Sequence, residues 1–377
     1  MERFNSRKLS DNEYSYQLMN EVSDPSFYYI IEFKKLDIRY LERKLNSFFK
    51  NYIELNCEIN KKRYIYKATT INFIKLITNY ETNYFTFIDE IKKTNNKELF
   101  QVYYSGFNVI FRINHSLMDG KGFTLFINEF FQSITTDKKC IQTDSYISDL
   151  DFIKGLQPIK EKRNLKYSNK LGNLSFGKND NILIRKMTIN HNMNFVMQRV
   201  ISILSSFFEN DNLTYIIPSS IRNYRDEIIT FSNLSEPLYF RCKKTDNWLE
   251  LAKKMKIQQE GKENLNIKNI NYGGIINVNK KIFNLVVKAS EKYQFKSRKF
   301  LTAGSITNIG VVDLRKYSND KIIISNNYMI PLYQPLLPYS IMINEMNNRI
   351  EIVLITNEKF INDNGVNEMF NKINEML

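Results

Sequence analysis

The chain has 377 residues and only two histidines, His115 and His191. Imidazole is the side chain whose unperturbed pKa lies nearest neutrality, so a proton-transferring base in this protein has few candidates. His191 sits in a polar Asn190-His191-Asn192 context and reads as a surface residue. His115 sits in Phe111-Arg112-Ile113-Asn114-His115-Ser116-Leu117-Met118-Asp119-Gly120-Lys121-Gly122, where an apolar strand ends at the histidine and a short loop leads into a helix. A base at the end of a strand is rigidly placed, and acyl transfer to an alcohol or amine needs such a base beside the attacking group. Three blander readings stand next to this one. His115 alone could be a satisfied core histidine, Asp119 could simply cap the helix that follows, and Gly120 and Gly122 could merely shape the turn. Gly120 in particular predicts either a close backbone approach or a positive φ.

The elements that must position this segment alternate between strand and helix. Phe27 to Phe33 reads as a strand, and Ile38, Leu41, Leu45, Phe48 and Phe49 fall at helical spacing behind a capping Asp37. Cys57 to Ile59 and Tyr64 to Tyr66 read as strands. Leu99 to Tyr104 and Phe107 to Asn114 flank Ser105-Gly106 as a hairpin that delivers His115. Phe123, Phe126, Ile127 and Phe130 predict the helix after the loop. Residues 137 to 180 are rich in Lys, Asn, Asp and Gly and read as a solvated crossover. Beyond it, helical patterns cover Phe195 to Phe207, Trp248 to Met255, Ile282 to Tyr293 and Val366 to Met376. Strand patterns cover Leu213 to Ile217, ended by Pro218, and then Leu238 to Cys242, Ile306 to Val312, Ser340 to Glu345 and Ile350 to Thr356. Strands and helices interleave without strict alternation, which predicts an α/β chain with mixed (α+β) sheets rather than a doubly wound parallel one.

Composition narrows the classes. A hydrophobic fraction of 43% supports a packed core and argues against disorder. Twelve Gly and seven Pro are too few for a glycine-cradle nucleotide fold. Cys57, Cys140 and Cys242 are far apart, with no Cys-x-x-Cys pair, so no disulfide framework and no metal site are expected. The polar residues 1 to 24 lack an apolar h-region and no run of about 18 apolar residues occurs. A cytoplasmic protein without a signal peptide or membrane span is the expectation. The net charge of +14 comes from short scattered basic groups, none in a nucleic-acid module. It suits a solubilising surface or a phosphate-bearing partner, not specific nucleic-acid binding.

The spacing His115-x-x-x-Asp119-Gly120 resembles the signature of the chloramphenicol-acetyltransferase-like acyltransferases, which include condensation domains, bacterial alcohol acetyltransferases and the plant BAHD enzymes. The resemblance extends to Leu36 to Ile59, to Ile217-Pro218-Ser219-Ser220-Ile221-Arg222 with Phe231-Ser232-Asn233, and to Ser305-Ile306-Thr307-Asn308-Ile309-Gly310. It implies two similar lobes in a pseudo-dimeric V around a central channel: residues 1–150 carrying the histidine motif, a crossover over 151–180, and a second lobe over 181–377. By resemblance His115 is the general base, and Asp119 points away from substrate to pair with Arg222 beside Gly120. Ser305, Asn308 and Asn233 are implied substrate contacts. The implied acyl donor is acyl-CoA or a phosphopantetheinyl acyl-carrier protein and the acceptor a small alcohol or amine. No bound cofactor and no metal are implied, and a monomer is expected. Two positions depart from the pattern. Asn114 replaces the first of the two adjacent histidines of condensation domains, and Gly122 stands where a serine usually follows. They favour a free-standing acyltransferase of the alcohol-acetyltransferase type. A free-standing condensation-type enzyme and a catalytically silent carrier-protein binder are the alternatives.

Overall fold

The computed structural model describes residues 6–52, 55, 57–66, 71–76, 91, 98–135, 143, 147–154, 156, 166, 168–172, 174–265 and 278–377. Part of the 137–180 crossover, with Cys140 and Pro158, lies outside them, as do Ile53 and Glu54.

Two mixed sheets carry the architecture. The first has five strands in the order Ile322–Ile330, Ser26–Leu36, Asn108–Asn114, Phe100–Ser105, Phe73–Lys75. The second has six, in the order Ser235–Lys243, Asn212–Ser220, Ser305–Val311, Tyr339–Met346, Arg349–Asn357, Ile182–Ile189. Each combines antiparallel neighbours with parallel ones, Phe73–Lys75 on Phe100–Ser105 in the first and Ser305–Val311 on Tyr339–Met346 in the second. This is the mixed-sheet α/β class that the interleaved patterns imply.

The first sheet buries one face under two helices. Ile38–Phe49 is capped by Asp37, whose side chain accepts from the Tyr40 amide. It meets helix Gly120–Thr135 through aromatic edges: Phe48 lies 5.5 Å from both Phe126 and Phe130. The second sheet packs against helices Val196–Ser205, Trp248–Glu260 and Asp363–Met376 around a separate apolar core. Strand Ile322–Ile330 is of special interest because it comes late in the chain yet pairs with Ser26–Leu36 from Ile322↔Leu36 to Ile330↔Tyr28. The first sheet is therefore completed by chain from beyond residue 180, and the two halves are tied together at the backbone level.

Pro218 does not end its strand, which runs on to Ser220. It faces Pro237 across the antiparallel pair. Two prolines can face each other where neither N–H is needed for that pair. The other flank of this strand is free there, since its parallel pairing with Ser305–Val311 is confined to Ile216↔Ser305. Beyond that point the two strands splay, and a cavity opens between them.

Candidate active site

The cavity has a volume of about 430 Å³ and takes its walls from both sheets. His115, Asp119 and Gly120 contribute from the first half, and Pro218, Ser235, Ser305 and Asn308 from the second.

His115 follows the strand Asn108–Asn114 directly, and its amide donates to the Pro25 carbonyl, 2.9 Å away. Asn114 braces the turn below it: its Oδ1 accepts from the Ser116 amide at 3.0 Å and the Ser116 hydroxyl at 2.6 Å. The Tyr16 ring stacks on the imidazole, with centroids 4.4 Å apart and planes 14° from parallel, and Phe27 meets it edge-on at 5.6 Å. Nδ1 is buried and makes no well-formed hydrogen bond. Burial holds the imidazole pKa below its ordinary value, against the opposing pull of the Asp119 charge. Burial thus favours the neutral ring.

The Asp119 carboxylate is taken up by a dense set of donors. Arg222 Nη1 donates to its two oxygens at 2.8 and 3.1 Å, the Gly122 amide to Oδ1 at 2.6 Å and the Leu234 amide to Oδ2 at 2.6 Å. One carboxylate thus caps helix Gly120–Thr135 and ties it to the opposite half of the chain. Arg222 is held in turn by the Ser220 hydroxyl and the carbonyls of Thr230 and Ser232.

The two glycines of the segment differ. Gly120 has neither a positive φ nor a close backbone neighbour. A Cβ there would lie 3.4 Å from the Met329 sulfur, an ordinary contact. Gly122 is the constrained one, since a Cβ on it would lie 2.2 Å from the Phe231 carbonyl oxygen and 2.9 Å from Arg222 Nη2. A serine, the usual residue of the resembling family, does not fit this approach either. Gly122→Ala is expected to cost more than the ~1–3 kcal/mol typical of overpacking, because backbone must move and the Arg222 contact with it. Thermal unfolding checks this, and an unchanged midpoint would refute the close approach.

The remaining expected residues are distributed unevenly. Ser305 and Asn308 line the cavity. Asn308 also supports a bulge, accepting from the Gly310 amide at 2.7 Å and donating to Glu345 at 2.6 Å, where Gly310 takes a φ of +76°. Asn233 does not line the cavity. It lies beside Tyr16, and its side-chain oxygen accepts from the Ser235 amide at 3.4 Å.

Sequence reasoning missed Tyr16 and a buried acidic pair beyond it. Tyr16 lies on helix Asp11–Met19, within the segment read only as polar. Its signal was present: Ser10 and Glu13 form a reciprocal capping box at the helix start. Asp149 and Glu236 are 1% and 0% exposed. Neither oxygen of Asp149 makes a well-formed hydrogen bond, and Glu236 accepts from Asn12 at 3.2 Å. Burial pushes the Asp149 carboxyl up to about 6 and holds Glu236 well above its ordinary value, helped by the neighbouring Asp149. An unfolded Asp149 ionises near 3.8, so between there and about 6 the folded state holds the extra proton. That contribution to stability is fully present below the unfolded value and is lost as pH rises through the folded one. Asp149→Asn is expected to flatten this part of the stability–pH curve, as denaturant unfolding across that range would show; an unaltered curve would count against the buried acid.

No family model and no curated protein matches the sequence. Solved structures do, and they show that the chain has the fold of condensation, epimerization and cyclization domains over nearly its whole length. The condensation domain of the Monacolin K polyketide synthase MokA aligns with a TM-score of 0.63 at 7% identity, covering 99% of this chain and 97% of that one. The cyclization-docking bidomain of EpoB from Sorangium cellulosum gives 0.63 at 12%, covering 99% and 85%. The starter condensation domain of rhizomide synthetase RzmA gives 0.64 at 11%, covering 99% and 94%. Among the described residues no helix is long and apolar enough to cross a membrane, and no group of potential ligands could hold a metal.

Proposed function

We propose that the protein is an acyltransferase that moves an acyl group from a phosphopantetheine thioester, acyl-CoA or an acyl-carrier protein, to an alcohol or amine, with His115 as general base. The observation that carries this reading is the placement of an imidazole, its neutral form favoured by burial, in a cavity walled by both halves, while the motif carboxylate is paired with Arg222. A carboxylate facing the thioester would oppose the oxyanion that develops there, whereas a paired one braces the loop and leaves the base unencumbered. The acceptor proton passes to His115 Nε2 as its heteroatom bonds to the thioester carbonyl carbon. The C–S bond then breaks and the imidazolium returns the proton to the departing thiolate. In this reading Ser305, on the cavity wall, contacts the acyl thioester. One similar structure, a mutant of the RzmA starter domain, is described in complex with C8-CoA and Leu-SNAC, which supports thioester chemistry in this type of channel. The test is turnover of acyl-CoA thioesters of graded length with a panel of acceptors, wild type against His115→Ala. Turnover that survives the substitution unchanged removes His115 from the reaction.

A further inference from the structure

Resting on the acyltransferase reading, we propose that the acceptor is a neutral hydroxyl compound rather than an amine. The cavity wall carries the argument. Among the described residues lining it, Asp119 is the only carboxylate. Its oxygens are engaged by Arg222 and two backbone amides. The wall's other formal charge is the exposed Lys121, a cation. Glu236 lies on the neighbouring strand position but does not reach the cavity, and Glu345 is engaged by Asn308. Among the described residues, an alkylammonium entering this cavity meets a like charge and no free counter-carboxylate. An alkylamine has a pKa near that of lysine, about 10.4, so under about one part in a thousand is free base at pH 7. His115, held below its ordinary basicity by burial, is a poor group for stripping such an ammonium. A hydroxyl meets none of these obstacles. It enters uncharged, finds polar partners among Ser305, Thr307 and Ser340 on the wall, and needs a base only as its oxygen attacks.

Ester formation then balances simply. The C–O bond forms and the C–S bond breaks, and the hydroxyl proton reaches the thiolate through His115.

The experiment uses the full chain with acetyl-CoA and octanoyl-CoA as donors. Matched acceptors, butanol against butylamine and octanol against octylamine, compete near pH 7, and ester and amide are counted by mass spectrometry. Ester is expected to exceed amide by at least ~10-fold, since juxtaposed like charges cost several kcal/mol. Lys121→Glu places a carboxylate at the wall and is expected to narrow that ratio by about tenfold. Amide equal to or above ester, or a ratio insensitive to Lys121→Glu, overturns the proposal while leaving acyl transfer intact. If neither product forms, the acyltransferase reading fails instead. Ligand-observed NMR with octanol and octylammonium then decides the selectivity alone: preferential binding of octanol upholds it, and equal or tighter binding of the ammonium overturns it.

Discussion

Thioester turnover by the His115→Ala protein is expected to fall about 10²–10⁴-fold, the range typical of a positioned general base. At 1.36 kcal/mol per decade this is roughly 3–5 kcal/mol of transition-state stabilisation. The fall is expected in kcat/KM without loss of the fold, because His115 is joined to its surroundings by ring contacts and not by a buried ion pair. The pH profile gives an independent check. Catalysis by this base requires the neutral imidazole, so the wild-type rate should rise with pH and level off as the ring loses its proton. Desolvation against Tyr16 and Phe27 favours the uncharged form, which places that acid limb below the ordinary histidine value of 6.5. In the alanine protein the limb should vanish. A limb at or above neutrality, or a variant with near-normal turnover, would mean that another group takes the proton.

The motif and its surroundings differ in how far they could be read from residues alone. Helices with a strong apolar stripe, such as Ile38–Phe49 and Gly120–Thr135, announce themselves because their packing face repeats every three to four residues. Asp119 and Arg222 could be set side by side from a family pattern although 103 residues separate them. What stayed hidden depends on long-range placement. Helix Asp11–Met19 has four consecutive buried residues, Asp11 to Tyr14, three of them polar, so no apolar stripe marks it; only its capping box does. Strand Ile322–Ile330 contains Ser325-Asn326-Asn327, which reads as loop. Asn326 and Asn327 are nevertheless 1% exposed, because their amides meet Glu32, Glu351 and the Tyr29 hydroxyl. Tertiary partners override the local propensity there. Asp149 and Glu236 are also silent in sequence, since nothing in a single carboxylate's neighbours along the chain shows that both will be desolvated together.

Arg222→Met is the substitution expected to damage the fold most, by about 3–5 kcal/mol, because it strands a buried carboxylate. The Asp119 side chain is 2% exposed, and after the change only the Gly122 and Leu234 amides remain of its donors. The carbonyls of Thr230 and Ser232 lose their partner as well, so two backbone groups from the second half are orphaned with it. Asp119→Asn with Arg222→Met removes the charge altogether and is expected to be more stable than Arg222→Met alone, as replacing both members of a buried pair usually costs less than removing one. Denaturant unfolding of the three proteins separates these outcomes. An Arg222→Met protein within about 1 kcal/mol of wild type would show that the pair is not the brace holding the two halves around His115.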